Sequence, residues 1–322
     1  MDRARFRIQK HPIQKRRNRT AVRIRALLLP VAWFATVSAA AHAFVAAGDR
    51  VFPGTLILPQ IAPTDEAYIQ GATPFGGTAP VPSNVSRRTD AIWFFGKTLT
   101  ERLGVRFRDV DTRLDPTVGS SRYGWQTLTA TAQYEALLDA PHEFLFSVGV
   151  DRQFGGTGAG RVQPRGFSGV GATTPSFYFG KGLGDLDIGY FRPLAIAGSF
   201  GYVIADKSPR PDIATAGFAI EYSIPYLQSK VRAFDVPDLI RSLTPITELF
   251  LTTPAGPAHG TPNTALIAPG VAYTGEGWQF GIEAMIPMTR ATGRGLGVTA
   301  QLHVWLDYFC PNSFGRPVFS WP

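Results

Sequence analysis

Apolar residues recur at every second position through stretches of about ten residues, and few folds accept that pattern so often in one chain. Trp278, Phe280, Ile282, Ala284 and Ile286 alternate with Gln279, Gly281, Glu283 and Met285. Val298, Ala300, Leu302, Val304 and Leu306 alternate with Gly297, Thr299, Gln301 and His303. Phe144, Phe146, Val148 and Val150 stand opposite Glu143, Ser147, Gly149 and Asp151, and Ala216, Phe218, Ile220, Tyr222 and Ile224 opposite Thr215, Gly217, Glu221 and Ser223. Successive side chains on a strand point to opposite faces, so each unit has one bulky apolar face and one small, polar face. A soluble β-sandwich also alternates. Two features weigh for a barrel in lipid. Several units reach the ~9–11 residues needed to cross a tilted bilayer, whereas soluble strands average about 5–6. Their polar faces carry Gly, Ser, Thr and Gln with only single charges, as a lumen does. Tyr202, Tyr226, Tyr273, Trp278, Tyr308 and Phe309 lie near strand ends, where interfacial girdles are expected.

The expected fold is all-β, an antiparallel transmembrane β-barrel of about 12 strands (range about 10–14). The strands are placed near 64–72, 90–98, 102–110, 122–134, 142–153, 174–181, 194–205, 213–226, 244–253, 265–274, 277–288 and 295–307. Thr98–Arg102, Leu138–Pro141 and Thr274–Gly277 are tight connections, expected in the periplasm. The stretches 154–173, 206–212, 254–264 and 289–294 are expected outside the cell. Asp238–Leu243, after Pro237, predicts a short periplasmic helix. In hydrocarbon an unpaired backbone group costs several kcal/mol, so the last strand must pair with the first. Residues 44–63, rich in Pro, read as an extended lead-in, 64–307 as the barrel and 308–322 as a C-terminal tail.

Charge is confined to the front of the chain. The formal net charge is +8, with 32 Lys and Arg, of which ten lie in residues 1–25; from residue 44 onward, 22 basic residues face 23 acidic ones. The basic run precedes an uncharged stretch from Ala26 that ends in Ala41-His42-Ala43. These are the parts of a secretory signal peptide over 1–43, with Ala41 and Ala43 as the cleavage positions. A membrane anchor would need a longer apolar run than this one, which Pro30 breaks, and a nucleic-acid-binding arm leaves the apolar run unexplained. One cysteine excludes a disulfide framework and Cys-rich metal sites.

Catalytic and cofactor signals are weak. Gly155-Gly156-Thr157-Gly158-Ala159-Gly160 lacks the Lys-Ser/Thr of a phosphate loop and reads as surface loop. His142, His259 and His303 show no metal spacing. A barrel hydrolase would need Ser147 or Ser223 to meet His303, which spacing alone does not support. Cys310 has nothing nearby to activate it. No enzyme activity, cofactor or metal is expected. The specific polar signal is inward charge: by parity Arg106, Arg108, Glu143, Asp151, Glu221, Glu248, Glu283 and His303 face the lumen, either to select solutes or to brace the wall.

Several stretches resemble bacterial outer-membrane barrels grouped as transporters of the phenol-degradation meta-pathway type. They are Phe179-Gly180-Lys181-Gly182-Leu183-Gly184-Asp185-Leu186, Ala268-Pro269-Gly270-Val271-Ala272-Tyr273, Trp278-Gln279-Phe280-Gly281 and Ile286-Pro287. The resemblance implies a transport or porin-like role in the outer membrane, for solutes that include hydrophobic or aromatic compounds. Outer-membrane lipid, the outer-membrane assembly machinery and a small solute are the expected partners, with no nucleic acid. The alternative is a closed structural or surface-binding barrel. Outer-membrane barrels often end on an aromatic at the tip of the last strand. Here 308–322 run on to Trp321-Pro322, so either the assembly signal is internal or the tail folds back beneath the barrel.

Overall fold

A computed structural model describes residues 44–73, 85–163, 169–208, 210–255 and 262–320. The leader, with Ala41 and Ala43, lies outside them, as do parts of the loops expected at 154–173 and 254–264. A small hairpin comes first, β1 (Val45–Ala47) and β2 (Arg50–Phe52). The wall follows: β3 (Glu66–Thr73), β4 (Val85–Thr98), β5 (Leu103–Pro116), the short β6 (Arg122–Trp125), β7 (Thr129–Asp139), β8 (Phe144–Gln153) and β9 (Ala172–Gly182). It continues with β10 (Leu194–Ala205), β11 (Asp212–Tyr222), β12 (Leu243–Ala255), β13 (Thr264–Thr274), β14 (Trp278–Pro287) and β15 (Gly297–Trp305).

Leaving β6 aside, the wall strands form a closed antiparallel barrel of 12 strands. β15 closes it by pairing with β3 from Val298↔Thr73 to Trp305↔Glu66. Closure leaves no strand edge in the apolar layer, the condition a membrane imposes. The outward set is apolar, with Val148, Val150, Ile220, Phe280, Ile282, Val298 and Leu302 all exposed. The alternate set, including Gln133, Ser147, Gln279, Gln301 and His303, is buried. Such a face cannot sit in water at this size, so the barrel spans a bacterial outer membrane. Among the described residues no helix is long and apolar enough to cross a membrane.

The unit expected at 122–134 is two strands. β5 is long enough to pair with β7 along Leu103–Arg108 and with β6 along Asp111–Leu114. The chain breaks between them where Gln126 turns its amide to Thr112 Oγ1 at 3.0 Å. Tyr226 is not a girdle residue. It is buried, with the Arg50 guanidinium 4.0 Å above its ring, because Ser223 Oγ accepts from its N–H and starts a turn that folds under the barrel. Tyr202, Tyr308 and Phe309 are exposed, as are Trp93, Phe95 and Phe107. The expected helix after Pro237 is a single turn, Asp238–Arg241.

The tail beyond Trp305 makes one helical turn, Leu306–Phe309, and then folds back. Val318 and Phe319 donate backbone N–H to the carbonyls of Thr98 (3.1 Å) and Leu99 (2.8 Å) in the β4–β5 turn. Burial, with the carboxylates of Asp65 and Glu66 adding to it, pushes Asp307 up to about 6. A raised carboxylate makes the folded state bind more protons, so Asp307 costs stability as pH rises from its ordinary value to about 6. Asp307→Asn is therefore expected to stabilise the barrel by on the order of 1 kcal/mol at pH 7, after allowance for solvent screening, and by nothing near pH 3. Urea midpoints in detergent at the two pH values check this.

Candidate functional site

Residues 44–63 are not a free lead-in. They enter the barrel from the end with the short turns, climb to Leu56–Pro59 and return to Asp65 at the foot of β3. The side chains explain the path. Phe52, Leu58 and Ile61 are buried in one cluster with Leu145, Tyr178, Ala195, Ala197, Ala219 and Ile246 from the wall. Small wall residues make the sockets: a Cβ on Gly180 would stand 2.6 Å from Ile61 Cδ1, one on Gly281 2.6 Å from Leu56 Cδ1, and one on Gly217 would collide with Leu58. Burying each large apolar side chain is worth about 1.5–3 kcal/mol, so this loop docks firmly.

The loop's backbone polar groups cannot reach water, and the wall satisfies them. Glu248 on β12 is fully buried, and its carboxylate accepts from three successive N–H groups: Leu56 (2.6 Å), Ile57 (3.0 Å) and Leu58 (2.7 Å). Its cross-strand neighbours are Ala219 and Ala268, which leave room for the loop to approach. Gln279 holds Gly54 twice, accepting from its N–H at 3.0 Å and donating to its carbonyl at 2.7 Å. Gln70 donates to Leu56 O at 2.8 Å, and both Arg106 (2.9 Å) and Gln133 (3.1 Å) donate to Gln60 O. Lower down, Arg50 is fully buried. It pairs with Glu143 at 3.2 Å and donates to the carbonyls of Pro193 (3.0 Å), Leu194 (3.3 Å) and Arg192.

Glu143 lies in the β7–β8 turn at φ 50°, not on the strand that parity assigned it to. That left-handed conformation costs of order 1 kcal/mol or more and sets the carboxylate beneath Arg50, where Gly184 N–H also donates to it at 3.0 Å. Gly182 and Gly184 of the Gly-Leu-Gly-Asp-Leu stretch crowd this carboxylate so closely that neither has space for a side chain. His303 Nε2 lies 2.9 Å from Glu66 Oε2, and its ring stacks on Trp305 at 4.4 Å. Neither nominated serine is its partner: Ser147 lies on β8 across the barrel from β15, and Ser223 Oγ caps Tyr226. Glu221 and Glu283 are buried, and neither oxygen of Glu283 has a hydrogen-bond partner among the described residues.

Above the loop, on the side of the long connections, lies a vestibule of about 270 Å³ floored by Leu56–Gln60. Arg106, Arg108 and Asp151 are its charged lining, Thr129, Thr131, Thr174, Ser176, Ser199 and Thr215 its hydroxyl wall, and Tyr68, Phe94, Tyr178, Phe200 and Phe250 its aromatic part. Thus the eight inward positions divide. Arg106, Glu143 and Glu248 touch the loop or its anchor, His303 pairs with Glu66, Arg108 and Asp151 line the vestibule, Glu283 is buried beside Glu248, and Glu221 is buried nearer the end with short turns. Parity put Gln279 on the inward face without giving it a role, and Arg50, Gln70 and Gln133 were not singled out. Gln at inward positions of otherwise apolar strands, together with an unexplained Leu-Ile-Leu run at 56–58, was the available signal.

Compared by sequence, the chain matches no family model and no curated protein. Compared by fold, it is similar to the "COG4313 outer membrane channel from Pseudomonas putida F1", at 15% identity and a TM-score of 0.50. That match covers 79% of this chain and 99% of the other. A structure described as "KdgM porin" matches 74% of this chain and 98% of its own at 10% identity, with a TM-score of 0.45. The fold and the apolar outer face define an outer-membrane β-barrel. The solved barrels it is similar to include a channel and a porin.

Gly217→Leu is expected to leave the barrel intact and expel Leu58 from its socket, because the wall backbone is held by ladder bonds and the loop is not. Limited proteolysis should then cut within residues 44–63 of the variant and spare them in the parent protein.

Proposed function

We propose that this barrel passes a small solute passively, closed at its centre by residues 44–63 and opened when they move. The observation that carries the reading is what fills the lumen. A loop occupies its centre, joined to the wall at the end with short turns and held through its own main chain by Glu248, Gln279, Gln70 and Arg106. A removable stopper beneath a vestibule is what a gated channel requires and what a purely structural barrel does not. In this reading Arg106, Glu143 and Glu248 brace the closed form, while Arg108 and Asp151 act on the solute by charge. Glu221, Glu283 and His303 become part of the open wall. The solute class implied by the resemblance to meta-pathway transporters, hydrophobic or aromatic compounds, agrees with the aromatic part of the vestibule. Signal-peptide removal at Ala41-His42-Ala43 and insertion by the outer-membrane assembly machinery belong to the same proposal, with β15 as the closing strand.

Planar-bilayer recording of the chain from Phe44 onward tests it. Discrete steps between a low and a higher conductance are expected, together with liposome swelling in small solutes. A protein that never conducts, with residues 44–63 present or removed, is a closed structural barrel instead.

A further inference from the structure

We infer that the vestibule is a binding site for a small amphipathic anion of the arene-carboxylate class. Four residues stand side by side across β3, β4, β5 and β7 at one level: Tyr68 pairs with Phe94, Phe94 with Arg108, and Arg108 with Thr129. The rings of Tyr68 and Phe94 are 4.4 Å apart and nearly parallel, at 6°. They form an apolar shelf that ends on a guanidinium. Arg106, two residues earlier on the same face of β5, approaches from below, its guanidinium 5.6 Å from the Tyr178 ring. Among the described residues neither arginine has a carboxylate partner. Arg106 Nε is buried without any acceptor, although its Nη1 holds Gln60 O. The third charge, Asp151, accepts from Thr131 Oγ1 at 2.5 Å, leaving the pocket with an excess of one positive charge.

An unsatisfied buried guanidinium N–H is costly, and an oxyanion placed between Arg106 and Arg108 would satisfy it with charge-assisted hydrogen bonds. A planar ring attached to that oxyanion would lie on the Tyr68–Phe94 shelf. A volume of about 270 Å³ falls just below the usual range for drug-sized ligands, which fits a single-ring acid and excludes an extended chain. The site's geometry stands by itself; its use in passage rests on the channel reading above.

Titration calorimetry of the detergent-solubilised chain from Phe44 onward, with benzoate as probe, tests the site. Acetate lacks the ring, benzyl alcohol the charge, and benzylammonium reverses the charge. Benzoate is expected to bind at least about tenfold more tightly than any of the three. Arg108→Gln should weaken benzoate about tenfold without disturbing the loop, to which Arg108 makes no hydrogen bond among the described residues. Asp151→Asn should tighten it several-fold, a change of opposite sign that a merely structural role would not produce. Equal binding of benzoate and benzylammonium overturns the inference, as does an Arg108→Gln protein that binds benzoate like its parent. Benzoate binding by a protein that never conducts would remove the channel reading and leave the site. Conduction with no benzoate preference would do the reverse.

Discussion

A chain lacking residues 44–63 is expected to conduct several-fold more current in planar bilayers than the full barrel, and to lose its closed level. The loop fills the lumen with Phe52, Leu56, Leu58 and Ile61, and every main-chain contact that fixes it comes from side chains already facing inward. Without it those side chains are hydrated. Glu248 exchanges three N–H donors for water, which costs little in an aqueous pore. The wall keeps its own ladder, including the β15–β3 seam, so the barrel still forms. The shortened protein should lose part of its thermal stability, since several large apolar side chains no longer bury their surface at about 1.5–3 kcal/mol each. Equal conductance of the full and shortened proteins would show that the loop does not limit passage.

Val148→Arg is expected to destabilise the barrel by about 2–4 kcal/mol, because Val148 faces outward near the middle of β8 and an arginine there meets hydrocarbon. Thr215→Lys, which faces the vestibule, is the contrasting change and should cost about 1 kcal/mol or less. Urea unfolding in lipid vesicles measures both. Equal penalties at the two positions would mean that inward and outward faces had been exchanged, and the transmembrane assignment would go with them. One natural outward charge agrees with the distinction. Arg152 sits at the upper end of β8 in a two-pronged pair with Asp206, at 2.6 and 2.7 Å.

The parity of the strands was legible because it is a local property. Side chains alternate about the backbone whatever the strand pairs with, so Phe280, Ile282 and Leu302 declared one face and Gln279, Gln301 and His303 the other. The count of twelve followed from the same rhythm, even though the unit at 122–134 hid a break at Gln126–Leu128. Strand boundaries were less legible: Glu143 is buried from a turn rather than from a strand, and Tyr226, expected in an interfacial girdle, is folded under the barrel by Ser223.

By itself, then, the amino-acid order determined that this chain makes amphipathic strands and that the strands must close in a membrane. Both follow from neighbours two residues apart and from the cost of unpaired backbone in lipid. Only the tertiary structure decided that residues 44–63 turn inward and that Glu248 holds Leu56–Leu58, a contact spanning about 190 residues. It also decided that Arg106 and Arg108 open on an aromatic shelf. A Pro-rich segment without periodicity is equally compatible with lying outside or inside the barrel. What selects the inside is a set of small residues, Gly180, Gly217, Gly281, Ala219 and Ala268, scattered over several strands and adjacent only once the wall has closed.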